Sequence, residues 1–297
     1  MQSGNSFSEW GFKNPSIEAD QNRAIRLGQK MRCLNSSSLD LIACLRSRDA
    51  KSLMRAAGGI YGRYQIHVDG LFLEDTPTNL YRARDFIRCP IMAGYNKDEG
   101  TLTPYFSYGQ RYRGQPHHPH ISLWTAQNHV TRMMSGMGFT GSILRSAALE
   151  MYTNCAMSSE PDGDFFRSFV DVETDVYYAC TTDKVLRAHD STGRKIYKYV
   201  FTHEPTKSFF QFRDIIPSTP WLKAGHGEEL AFVFGFPFID ELYLVRGHNV
   251  TEEEKALSVQ MMRYWTNFAK TGDPNKSDLD HPLTDSIPLG LYSLHKN

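Results

Sequence analysis

The stretch FIRCPIMAGYNKDEG, Phe86 to Gly100, decides the fold class. Its first ten residues, Phe86 to Tyr95, are mostly apolar and enclose Cys89. That pattern predicts a short strand buried on both faces, with Cys89 in its core. NKDEG supplies the loop that follows, and the loop carries an acid, Glu99. A second run, IYKYVF from Ile196 to Phe201, is rich in β-branched and aromatic residues and predicts another strand. Residues 121–188, between the two, are expected to be mostly helical. Strands alternating with helices predict an α/β fold.

Outward from this core, Ser16 precedes a helical pattern that puts Ala24, Leu27 and Met31 on one face and ends at Cys33. A shorter helix, Leu39 to Arg48, carries Cys44. The ten residues between the cysteines include a serine-rich turn. They form either an oxidised clip, which would constrain the unfolded chain by about 3 kcal/mol, or a loop between two buried thiols. The last helix is the plainest. Thr251 and Glu254 form a capping box, and Leu257, Met261, Tyr264, Trp265 and Phe268 share one face. Lys270, Gly272 and Pro274 mark its end.

Composition narrows the partners. With 33 basic and 33 acidic residues the net charge is zero, and no basic patch suits nucleic acid or a membrane surface. No apolar run approaches the ~20 residues of a membrane span. The opening MQSGNSFSEWGF has neither the basic nor the apolar region of a signal peptide. Five cysteines and three glycosylation sequons, at Asn35, Asn249 and Asn275, point instead to a secreted or cell-surface protein. The conflict resolves if the sequence continues upstream. QPHHPH sets His117, His118 and His120 among prolines, which break a fixed ligand geometry, so a polar loop is expected there and no metal. No cofactor motif is present, and Cys155 has no motif spacing.

Chemistry concentrates in KAGHGEEL, where His226 stands between glycines on a loop after IYKYVF. Acyl transfer needs a nucleophile, a histidine to take its proton, and an acid that fixes the imidazole tautomer. Glu99 and His226 stand in the chain order of acid then histidine, each after a predicted strand. The nucleophile should precede them on a G-x-S-x-G elbow, which the sequence lacks. Gln2-Ser3-Gly4-Asn5-Ser6 comes nearest and reads as a plain loop.

Together these segments resemble the C-terminal half of the cholinesterase-type (type B) carboxylesterases. MQSGNSFSEW is similar to that family's QSG…W segment, which follows its GESAG elbow. MRCLNSSSLDLIACLRSR is similar to its second disulfide loop, and VDGLFLEDTP to its VDG…L..P segment. AGYNKDEGT matches the motif bearing the triad acid, and GHGEELAFVFGFP the motif bearing the triad histidine. TEEEKALSVQMMRYWTNFAKTGDPN matches the final-helix signature.

The resemblance implies an α/β-hydrolase fold of which this chain holds the C-terminal half only, without the nucleophile-bearing part of the sheet. Residues 1–277 would be a partial domain and 278–297 a divergent tail. Glu99 inherits the role of acid, His226 that of base, and Cys33 and Cys44 a disulfide. Cys180 looks like the cysteine that cholinesterases pair with a late one; none follows here, so it is expected to be unpaired. Trp10 matches the acyl-pocket tryptophan, and Ile60 and Gly62 fall where acetylcholine-selective members have phenylalanine. Leu102, Thr103 and Phe106 fall at the choline-facing aromatic positions, and only Phe106 is aromatic.

The implied function is hydrolysis of small carboxylic esters, choline esters or related ones, by a Ser-Glu-His triad of which this chain supplies acid and histidine. The chain by itself would then be inactive. Two alternatives are a catalytically inactive, neuroligin-like adhesion protein and a broad-specificity detoxifying carboxylesterase. Oligomerisation is open to the full-length parent and not expected of this chain.

Overall fold

The computed structural model describes residues 1–8, 17–33, 37–58, 66–108, 111–154, 163–209, 219–239 and 250–276. Trp10, Asn35, Ile60, Gly62, Cys155, Asn249 and the 278–297 tail lie outside the described residues. The chain divides into two compact units, Glu9–Ala83 and a larger one made of Met1–Ser8 with Arg84–Asn297. Among the described residues the smaller unit carries four helices: α1 (Ile17–Lys30), α2 (Ser38–Arg46), α3 (Ala50–Gly58) and α4 (Pro77–Ala83). Ser37 caps α2 by accepting from Asp40 N. A disulfide joins Cys33 to Cys44 with their Cα atoms 5.7 Å apart, which selects the clip over the pair of thiols.

In the larger unit, Pro90 sets where the first strand starts. Proline has no N–H and cannot donate to a ladder from inside a strand. The first ladder bond comes one residue later, from Ile91 N to Lys195 O at 3.1 Å. Strand β1 is therefore Ile91–Asn96, shorter at its front than the expected span from Phe86. Cys89 lies outside it as an exposed free thiol, which corrects its expected place in the strand core. β2 (Ile196–Phe201) lies parallel to β1, with Ile91 opposite Ile196 and Asn96 opposite Phe201. On the other edge of β1 the backbone of residues 1–3 runs alongside: Ser3 N donates to Gly94 O and Gly94 N to Met1 O.

A parallel pair needs a long crossover, and here it is helical. It contains α5 (Leu102–Ser107), α6 (Leu123–Gly136), α7 (Ser142–Thr153), α8 (Phe166–Thr174) and α9 (Cys180–Asp190). One π-turn, Asp175–Ala179, joins the last two. After β2 come α10 (Glu229–Val233) and the 20-residue α11 (Glu252–Thr271). Cys180 begins α9 as a free thiol.

α11 packs as its sequence predicts. Met261, Leu257 and Trp265 lie against Phe201, Ala224 and Phe232, while Trp265 and Phe268 cover Met92, Tyr197 and Tyr199. The capping box of Thr251 and Glu254 is present, and Gly272 closes the helix in the left-handed conformation. Glu254 does more than cap. Its carboxylate also accepts from Thr206 N at 2.7 Å and Thr206 Oγ1 at 2.8 Å, and lies 3.3 Å from His203 Nε2. Burial opposes its charge, but these donors win and hold its pKa down to about 2.

A depressed carboxylate stabilises the fold above its unfolded value of 4.5, and that contribution is lost as pH falls towards 2. Glu254→Ala is expected to lower stability by about 2 kcal/mol near neutral pH, read as a lower urea midpoint. The difference from the unaltered chain should shrink as the titrations are repeated from pH 5 down to pH 3.

Candidate active site

β1 ends at Asn96, and the chain turns within three residues into a 3-10 turn, Glu99–Thr101. Glu99 is fully buried. Its Oε1 accepts from Asn96 N at 2.7 Å, and its Oε2 lies 2.6 Å from His226 Nδ1. The next residue anchors the turn on α8: Gly100 N donates to Thr174 Oγ1 at 3.1 Å. An ionised carboxylate only accepts, so the imidazole hydrogen sits on Nδ1 and Nε2 is the ring's acceptor.

The histidine arrives from the chain beyond β2. A 3-10 turn, Pro220–Leu222, leads into residues 223–227, and α10 follows. The flanking glycines have separate reasons. A Cβ on Gly225 would stand 2.9 Å from both Leu222 O and Thr101 Oγ1, so a side chain there collides with the acid's own turn. Gly227 has φ +83°, a conformation that L side chains rarely adopt. The imidazole is one-third exposed, and Tyr178 lies beside it with ring centroids 5.4 Å apart. Burial alone would lower the His226 pKa. The Glu99 hydrogen bond and the charges of Glu99 and Glu229 outweigh it, and the net shift is upward from 6.5.

Three further residues belong to this site. Asn96 Nδ2 donates to Gly225 O at 2.7 Å and to Glu229 Oε2 at 2.6 Å, so the end of β1 also holds the histidine loop. Glu229 is buried, accepts from Gln2 Nε2 at 3.2 Å, and has a pKa raised by that burial. Its neighbour Glu228 is buried too, accepts from Ser208 Oγ at 2.5 Å and Phe209 N at 2.8 Å, and is pushed up to about 7 by burial. The only sequence signal for the two acids was their adjacency to the histidine. For Asn96 it was a place in NKDEG.

The expected choline-facing positions lie on α5. Leu102 is half-buried, Thr103 donates to Glu173, and Phe106 is exposed with its ring edge-on to Tyr105. Ser3 of the QSGNS segment lies beside Gly94 with its hydroxyl buried. His118 stacks on Phe166 with centroids 4.1 Å apart. Among the described residues no cluster of three His, Cys, Asp or Glu could hold a metal ion, and no helix is long and apolar enough to cross a membrane.

The sequence model of the carboxylesterase family matches residues 1–288. Two relatives align over almost the whole chain. The acetylcholinesterase of Bungarus fasciatus is 26% identical over 281 residues, which are 92% of this chain and 43% of that protein. The cholinesterase of Mus musculus is 28% identical over 283 residues, 93% of this chain and 43% of that protein. The chain thus spans less than half the length of either.

Because His226 titrates upward, its pair with Glu99 stabilises the fold fully below pH 6.5, and that contribution is lost as pH rises through the folded value. Replacing the acid removes the largest opposition to burial. Glu99→Gln is expected to bring the His226 midpoint down by about one unit or more, as followed by the imidazole proton resonances in an NMR titration.

Proposed function

Because the chain belongs to the carboxylesterase family, whose enzymes share the α/β-hydrolase fold and hydrolyse carboxylic esters, we propose that Glu99 and His226 are the acid and base of such a hydrolysis. The observation that carries this reading is the 2.6 Å contact between buried Glu99 Oε2 and His226 Nδ1. It fixes one tautomer and leaves Nε2 to receive a proton, as acyl transfer by a serine requires. His226 takes the proton of the attacking hydroxyl and returns it to the leaving alcohol. Glu99 stabilises the imidazolium formed in between. Water then releases the acyl group by the same route.

The nucleophile is assigned to residues beyond this sequence, since no G-x-S-x-G pattern occurs in it. On this reading residues 1–277 are the C-terminal part of an esterase domain and 278–297 a divergent tail, although the family match itself runs to residue 288. The substrate proposed is a small ester without strict choline selectivity. A quaternary ammonium is held largely by aromatic faces, each worth about 0.5–2 kcal/mol. At the three α5 positions only Phe106 offers one, and Thr103 is engaged by Glu173. The Cys33–Cys44 disulfide and the sequons at Asn35, Asn249 and exposed Asn275 support secretion or display at the cell surface.

Two measurements bear on this. The purified 297-residue chain should show no turnover of thiocholine or naphthyl esters; measurable turnover would refute an external nucleophile. In a longer protein that carries a serine elbow and hydrolyses esters, His226→Ala should lower kcat by several orders of magnitude. A near-normal rate there would remove His226 from the reaction, and a longer sequence with no serine at the elbow would favour the adhesion reading.

A further inference from the structure

Two residues before His226, one side chain and one backbone group hold Ala224 from both ends. Ala224 N donates to Asp98 Oδ2 at 3.2 Å, and Asp98 N donates to Ala224 O at 3.0 Å. Asp98 is 1% exposed. Its other oxygen is taken by Arg167, which reaches from α8 and pairs through its second terminal nitrogen with Asp171. A carboxylate held by one backbone donor can swing about its side-chain bonds. A guanidinium on the second oxygen fixes which oxygen faces Ala224. The same helix also carries Thr174, which receives the hydrogen bond from Gly100 beside the acid.

We propose that Arg167 is a positioning residue for His226. Acting through Asp98, it fixes the Ala224 backbone and with it the aim of His226 Nδ1 at Glu99 Oε2. α8 thereby sets both partners of the pair, the acid through Thr174 and the histidine through Arg167. Asn96 supplies a separate tie at Gly225 O, and Arg167 reaches Asp98 from α8, outside the two loops.

This proposal rests on reading His226 as the base, but its test uses no turnover, so the two fail separately. The His226 midpoint is measured by NMR titration in the full chain and in Arg167→Gln. The direction of the shift discriminates. Removing a nearby positive charge favours imidazolium and raises the midpoint through the field alone. Loosening the bond to Glu99 lowers it. The expected result is a fall of about one unit, roughly tenfold in proton affinity; an unchanged or raised midpoint overturns the proposal. Should Arg167→Gln not fold, Asp98→Ala/Arg167→Gln removes both charges and leaves no lone buried one. Its midpoint should fall likewise, and an unchanged value there overturns the proposal equally.

Discussion

The burial of the Glu99 carboxylate is the constraint on which the rest of the larger unit depends. Taking an unpaired carboxylate out of water costs several kcal/mol, so a fully buried one needs donors on both oxygens. Asn96 N supplies one and His226 Nδ1 the other. The first is local, three residues back along the chain. The second comes from 127 residues away, so it has to be brought there by the fold. The parallel pairing of β1 with β2 does this, since it sets the ends of both strands side by side and lets the loops beyond them meet.

Meeting is not enough for a bond of this length, and the loops are tied at several points in succession. Lys97 N donates to Phe201 O, Asp98 exchanges two bonds with Ala224, and Asn96 reaches Gly225. Thr101 Oγ1 donates to Leu222 O at 3.2 Å. Each of these takes up a backbone group or a carboxylate that would otherwise be buried without a partner, at a cost of about 1–3 kcal/mol apiece. The loop carrying the histidine is therefore held by the loop carrying the acid, residue against residue. Gly225 is a consequence of that closeness, since no side chain fits between the two turns.

Much of this was legible in the sequence, for reasons that are local. The capping box of α11 is a four-residue pattern, and its apolar face is a period, so Thr251, Glu254, Met261 and Trp265 fell where they were expected. The pairing of Glu99 with His226 was legible through chain order and resemblance. What was not legible depends on contact across the fold. Cys89 sits in an apolar run, but Pro90 starts the ladder after it, and the thiol is left outside. Arg167 is one arginine among many in the sequence; only the approach of α8 to the acid loop gives it a role. Glu228 and Glu229 read as a charged pair suited to solvent, yet both are buried because the turn into α10 faces them inward.

Those two acids explain how one site keeps carboxyl groups in different conditions. Glu229 receives an amide from Asn96 and another from Gln2, and Gln2 is held in turn by Trp265 Nε1 at 2.9 Å. Glu228 receives a hydroxyl and one backbone N–H, lies next to Glu229, and titrates near neutrality. Glu99 alone has an imidazole, and an imidazole can become a cation. The protonated form of His226 is therefore favoured by Glu99 directly and by Glu229 at longer range, while Glu228 faces Ser208 and Phe209. The site carries three acids, and among them hydrogen-bond geometry gives the imidazole contact to Glu99.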